Sequence, residues 1–329
     1  MKRIAIAGAG GMARVRARAL LATGAVSVCG VSARRLTSAQ VFGAEIGCAP
    51  DACYDDYRRL LDTQPDALLV EVPHQAQDAI VLWGLQQGLH VLIGGTLATT
   101  SAVAAEIEQT ARDKRLVVEA GYEARYSAVW EYAREQVMSG ALGKLVSIRS
   151  IALWAGDPRT WYYQQQASGG MPLTHMTYCF INPVRWVAGE VRAVAAFANR
   201  VAHTAPELIE QENVVANLLF KGDVIGNMTA GFVAPGGLPA WSCTFIGTQG
   251  ALDVCPSETG SGNVTLYHGQ AERHEFPAAP NAFDVQARAF LDAINGAASC
   301  RNTPADTLGD VRTAEAIVTS TREGRTVQM

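Results

Sequence analysis

The residues best suited to chemistry begin in a glycine turn near the amino terminus. Gly8, Gly10, Gly11, Met12 and Ala13 lie in Gly-Ala-Gly-Gly-Met-Ala, which fits G-x-G-x-x-G/A. An apolar, strand-like run precedes the turn and a helical stretch follows it. In that setting the glycines permit a tight turn close to a pyrophosphate, and the free N–H groups of the helix point at the anion. The implied ligand is a dinucleotide. The end of the next strand faces the adenosine ribose, where a carboxylate would bond the 2′-hydroxyl. The chain instead reads Val31-Ser32-Ala33-Arg34-Arg35. Two guanidinium groups there suit a 2′-phosphate, so NADP(H) is expected over NAD(H). A solvated helix start is the other reading of Arg34 and Arg35. Glu71 closes the third strand-like run, where ligands of open α/β sheets bind, and is expected as a catalytic carboxylate. A charge at a helix N-terminus explains it as well. Trp154, Trp161, Tyr162 and Tyr163 cluster farther on, with Tyr122 and Trp130 not far away. Tyr122, Trp161 and Tyr162 are expected to bind substrate, since aromatic rings stack on sugars and equally suit flat or apolar molecules. Core packing must account for at least half of this set.

The elements that position these residues follow from the hydrophobic pattern. Strand-like runs at 3–7, 26–31, 67–72, 90–93 and 116–119 are short, apolar and without alternation, as strands covered on both faces should be. Helical stretches fall near 11–23, 36–46, 55–63, 75–88 and 100–113. Alternating βα units predict an N-terminal, doubly wound parallel Rossmann sheet. The pattern then changes. A helix is expected over 126–139, a strand over 145–154, a polar and aromatic loop over 157–168, and a helix over 171–187. Strands are expected at 192–201, 213–220, 225–232, 241–246, 251–254 and 264–267, with turn signals such as Lys221-Gly222-Asp223 between them. Helices near 281–295 and 305–322 end the pattern. The expected organisation is a dinucleotide-binding domain over 1–120 and an α+β domain over 121–329 on a mostly antiparallel sheet, with the C-terminal helix free to pack back on the first domain.

Composition supports that division. A single core rarely grows past about 250–300 residues, and the chain has 329, of which 49% are hydrophobic and 18% charged. The balance of 31 acidic against 27 basic residues leaves a charge of −4, which offers no footprint for nucleic acid. No apolar run approaches the roughly 20 residues of a membrane helix, and a soluble, cytoplasmic protein is expected. The seven cysteines include no C-x-x-C clip, so no metal site is expected. Only Lys2, Lys114, Lys144 and Lys221 are lysines.

The glycine turn, Gly88-Leu89-His90-Val91-Leu92, Leu97-Ala98-Thr99-Thr100, Arg125-Tyr126, Ser139-Gly140-Ala141-Leu142-Gly143-Lys144, Gly169-Gly170, Gly247-Thr248-Gln249-Gly250-Ala251-Leu252 and the tail from Ala314 to Arg325 together resemble the Gfo/Idh/MocA family. The resemblance implies a Rossmann domain, a C-terminal α/β domain whose open sheet face makes a homodimer or homotetramer, and a small-molecule substrate. It carries Pro73, Gly94 and Gly95 over as cofactor contacts. Between Ile93 and Leu97 the family usually has Glu-Lys-Pro, and this chain has Gly94-Gly95-Thr96. Gly95 thus stands where the family lysine approaches substrate and nicotinamide. After Gly169-Gly170 the family's aspartate and histidine, four apart on one helix face, fall at Thr174 and Tyr178. A later aspartate falls at Asn182, and a histidine after the Thr-Pro pair becomes Gln77. The replacements suit other roles. Tyr178 can donate a proton if positive charge lowers its pKa from about 10. His175 shares part of that face, Arg125 supplies positive field or binds an anionic substrate, and Thr174 touches substrate. A packed aromatic fits Tyr178 nearly as well, and a satisfied histidine fits His175 better.

Three functions fit. The first is an NADP(H)-dependent oxidoreductase reducing a C=O or C=N bond of a small molecule. The second uses the cofactor without net redox change, in elimination, epimerisation or glycoside cleavage. The third is a catalytically silent dinucleotide-binding sensor.

Overall fold

The computed structural model describes residues 1–170, 180–234, 238, 241–257 and 261–329. They divide into two compact units, Met1–Tyr122 with Phe283–Leu308 and Glu123–Ala282 with Gly309–Met329. Residues 283–308, which the sequence boundary places in the second domain, therefore belong to the first unit.

The first unit runs β1 (Lys2–Ala7), α1 (Gly11–Ala22), β2 (Val26–Ser32), α2 (Leu36–Glu45), β3 (Cys53–Tyr54), β4 (Ala67–Val70), α3 (His74–Gln86), β5 (His90–Ile93), α4 (Ser101–Lys114) and β6 (Val118–Glu119). The strands form one parallel sheet in the order β3-β2-β1-β4-β5-β6. This is the Rossmann order, with its switch point between β1 and β4. All four residues of β4 are buried, as are Ile4 to Ala7 of β1, because helices cover both sheet faces.

Three expectations change. Cys53–Tyr54 is an added edge strand, too short to leave a hydrophobic pattern, so Glu71 follows the fourth strand and not the third. The last strand shrinks from 116–119 to two residues. The stretch 55–63 is a 3-10 helix over Tyr57–Thr63, opened by Asp56, whose side chain accepts from the Arg58 N–H.

The second unit contains α5 (Ala128–Met138), β7 (Leu145–Leu153), α6 (Gln165–Ser168), α7 (Asn182–Ala188), β8 (Val191–Asn199), β9 (Asn213–Phe220), β10 (Ile225–Gly231), β11 (Trp241–Gly247), β12 (Ala251–Pro256), β13 (Gly262–His268), β14 (Gln270–Phe276) and, at the chain end, β15 (Val327–Gln328). Helices α8 (Ala282–Ile294) and α9 (Pro304–Glu323) lie between β14 and β15. The nine strands run β14-β13-β12-β11-β7-β10-β9-β8-β15, antiparallel except for the β7–β10 pair.

The inner face alternates Ile148, Ser150 and Ala152 with Val214, Ala216 and Leu218, all buried. Trp130 of α5 meets Phe245 edge-on at 6.3 Å. The outer face is open, and Phe197 is 79% exposed beside its cross-strand partner Val215. The edge strands β14 and β15 were not expected. β14 reads Gln-Ala-Glu-Arg-His-Glu-Phe, charges that blunt a sheet edge and mask the strand pattern. The expected 157–168 loop contains a 3-10 turn at Trp161–Tyr163 and α6. Of the helix expected over 171–187, residues 182–188 form α7, and 171–179 lie outside the described residues.

Helix α8 explains the return of the chain to the first unit. Ala287, Phe290 and Leu291 recur at i, i+3 and i+4, so one stripe of the helix is apolar. That stripe joins Ile4, Ile6, Val31, Phe42, Leu69 and Leu92 in one buried core. Among the described residues, no helix is long and apolar enough to cross a membrane.

Candidate active site

In the first unit the glycine turn lies at the carboxyl end of β1. Gly8 has φ +124°, and a Cβ there would fall 1.9 Å from the Glu71 carbonyl oxygen, so only glycine fits. Its N–H donates to the Ser32 carbonyl at 2.8 Å, tying the ends of β1 and β2. Gly10 is the N-cap of α1 and supplies no side-chain cap, which leaves the first helical N–H groups without side-chain acceptors. A Cβ at Gly10 or Gly11 would meet nothing within 4 Å. Open space before an uncapped, twelve-residue helix fits the pyrophosphate of a dinucleotide. Ala13 is buried against the sheet, while Met12 is 41% exposed at the mouth of the turn.

Arg14 braces this cradle. Its guanidinium donates to the Ala9 carbonyl at 2.7 Å, pairs with both oxygens of Glu45 at 2.7 and 3.0 Å, and lies 5.1 Å from the Phe42 ring centre. At the end of β2, Ser32 is buried, while Arg34 and Arg35 are exposed.

Glu71 sits at the switch point with its side chain 8% exposed, 2.7 Å from the Arg16 guanidinium. Arg16 is almost wholly buried and donates to the Gly121 carbonyl at 2.6 Å and to Gln286 Oε1 at 2.5 Å. Gln286 and Asn302 donate in turn to Glu119 at 3.0 and 2.9 Å. The geometry makes Glu71 one half of a buried ion pair. Arg16 escaped the sequence reading, although its signal was present: Ala13, Arg16, Ala17 and Leu20 form one buried stripe, and an arginine on such a stripe needs a partner.

The turn after β5 is equally constrained. Gly94 is half-buried, and Gly95 and Thr96 are buried. Gly121 donates to the Gly95 carbonyl at 2.8 Å. Gln77 donates to the Thr96 carbonyl at 2.8 Å, and Asp78 accepts from the Thr99 N–H. Burial pushes the Asp78 carboxyl up, against the pull of those Thr99 bonds. Tyr122 is fully buried, and its hydroxyl donates to Thr96 Oγ1 at 2.8 Å. It therefore braces this turn, in place of the substrate contact expected of it. Pro73 is exposed at the N-cap of α3.

In the second unit Arg125 is 1% exposed. It donates to the Asn182 carbonyl at 3.1 Å and lies 3.9 Å from Asp310. Arg185 pairs with the same carboxylate, and Asn182 Nδ2 donates to it at 2.7 Å. Burial pushes the Asp310 carboxyl up, and the Arg185 and Arg125 guanidiniums pull it back. Arg125 thus belongs to a buried charge cluster, where an anionic-substrate contact was expected.

Trp161 and Tyr162 meet edge-on at 5.7 Å, and Trp161 is 37% exposed. Tyr163 is core, its hydroxyl donating to the Phe232 carbonyl at 3.0 Å. Thr174, His175 and Tyr178 lie outside the described residues.

Residues 2–122 match the oxidoreductase family with an NAD-binding Rossmann fold, and residues 130–253 match the GFO/IDH/MocA C-terminal domain. The chain belongs to the Gfo/Idh/MocA family of oxidoreductases. It is 24% identical over 273 residues to 1,5-anhydro-D-fructose reductase of Ensifer adhaerens, covering 82% of this chain and 81% of that protein. It is 26% identical over 148 residues to levoglucosan dehydrogenase of Pseudarthrobacter phenanthrenivorans, which covers 43% of this chain and only 38% of that relative. Among solved structures, levoglucosan dehydrogenase in complex with NADH superposes with a TM-score of 0.88 at 18% identity, over 99% of this chain and 98% of that one. At that identity the likeness speaks for the fold.

Proposed function

We propose that this protein is an NADP(H)-dependent oxidoreductase that reduces a C=O bond of a sugar-class small molecule, with an imine C=N bond as the alternative acceptor. The carrying observation is the cradle at the end of β1 and β2. A helix N-terminus without a side-chain cap from Gly10, with open space before it, lies near a strand end whose next residues are two exposed arginines and no carboxylate. The relatives that act on sugars support the substrate class. The bound NADH of the solved neighbour is that protein's cofactor. Arg34 and Arg35 favour the phosphorylated dinucleotide here, because guanidinium suits phosphate.

The cofactor supplies the hydride. This chain's part is to hold the dinucleotide at Gly8, Gly10, Gly11, Met12 and Ala13, to receive the 2′-phosphate at Ser32, Arg34 and Arg35, and to form the turn Gly94-Gly95-Thr96. Proton handling is assigned to Tyr178 and His175, and substrate contact to Thr174 and Trp161. The exposed outer sheet face, with Phe197 and Ile225 on it, suits pairing with a second copy of the chain.

A second reading is favoured by Gly95, which leaves no side chain to stabilise an alkoxide: a reaction that retains the cofactor without net redox change. Incubation of the protein and NADPH with 1,5-anhydro-D-fructose and a panel of 3-keto-pyranosides separates the two. Stoichiometric loss of the 340 nm nicotinamide band supports net reduction. Product formation without that loss supports the second reading, and neither outcome with any substrate leaves the sensor.

A further inference from the structure

Gly94 and Glu71 compete for one volume. An ideal Cβ at Gly94 would fall 2.1 Å from the Glu71 carboxyl carbon and 2.2 and 2.4 Å from its oxygens. The side-chain space of position 94 is therefore filled by a carboxylate reaching across from β4, which pairs directly with β5. The backbone of Glu71 closes in the same way on Gly8 after β1, where a Cβ would meet its carbonyl at 1.9 Å. Glu71 is thus wedged between the ends of the two strands that flank β4, each of which turns on a glycine. Its charge is balanced by Arg16, 2.7 Å away, and the same guanidinium reaches the Gly121 carbonyl after β6. One arginine of the dinucleotide-binding helix therefore ties the carboxylate after β4 to the carbonyl after β6.

Such a network is rigid because it is buried. Removing either charge breaks this ion pair in a site nearly closed to water, which is costly. In a doubly wound sheet the β4–β6 half faces the second mononucleotide, the nicotinamide side.

We propose that Glu71 and Arg16 are positioning residues that hold the nicotinamide-side turn, and that position 94 is glycine because the Glu71 carboxylate occupies its side-chain space. This replaces the catalytic role expected of Glu71, and it rests on the dinucleotide reading above.

Titration calorimetry of the full-length protein with NADPH and with 2′-phospho-ADP-ribose, which lacks the nicotinamide, tests it. Gly94→Ala and Glu71→Ala should each weaken NADPH by about tenfold or more and leave 2′-phospho-ADP-ribose within about threefold, while Gly94→Ala added to Glu71→Ala should cost less than about twofold. If Gly94→Ala alone fails to fold, recovery of a folded, NADPH-binding protein in the double variant is the expected sign of the same steric coupling. Equal weakening of both ligands would reduce the pair to a structural role and overturn the proposal. So would an equal penalty for Gly94→Ala in both backgrounds. A wild-type chain that binds neither ligand overturns the dinucleotide reading itself and the proposal with it.

Discussion

Asp310→Ala is expected to destabilise the second unit by about 3–5 kcal/mol, the range for removing one partner of a buried charge cluster. Asp310 is fully buried and shared by three groups: Arg185, Asn182 and, at 3.9 Å, Arg125. Without it two nearly buried guanidiniums lose the carboxylate they share. Glu190 relieves Arg185 in part, since it accepts from the same guanidinium at 2.5 Å, but its side chain is 48% exposed. Urea unfolding followed by tryptophan fluorescence measures the loss. A change below about 1 kcal/mol, the size of an exposed pair, would mean that water reaches the cluster.

Tyr178→Phe is expected to lower kcat by about 10²–10⁴, the usual contribution of a positioned proton donor, while the dissociation constant for NADPH stays unchanged. Reduction of a carbonyl requires one proton. Position 95 is glycine and has no side chain to give it, and Glu71 is committed to Arg16 at 2.7 Å. Arg125 and Tyr122, also candidates near the cleft in sequence, are buried and bonded elsewhere. On the function proposed above, Tyr178 gives the proton, from the position that the family resemblance assigns to a histidine. Steady-state kinetics on the substrate found in the panel above checks this, and an unchanged kcat removes Tyr178 from the mechanism.

Much of the fold was legible because it is written in local pattern. The buried runs of β1, β4 and β5 and the turn Gly8 to Ala13 are short-range signals, and β5 and β9 match their expected bounds to the residue. Two of the misses are non-local. β3 and β15 are two residues long and exist only because β2 and β8 offer a free edge. β14 is charged along its length and pairs with β13 through the turn at Gly269, whose φ is +79°.

The same division holds at the site. Gly10, Gly11, Arg34 and Arg35 stand where spacing along the chain puts them. Tyr122, Arg125 and Glu71 were legible as polar residues near strand ends, but their roles depend on Thr96, Asp310 and Arg16. The last two of these partners lie 185 and 55 residues away in sequence. Spacing within one element reveals which face a residue takes, whereas the partner that neutralises it comes from the tertiary fold.

The most direct test of the account is a pair of equilibrium titrations of the wild-type protein, one with NADPH and one with NADH, read by quenching of tryptophan fluorescence. Charge-assisted bonds from Arg34 and Arg35 to a 2′-phosphate, at about 1.5–3 kcal/mol each, predict NADPH tighter than NADH by about tenfold or more. Equal affinities, or tighter binding of NADH, would contradict it.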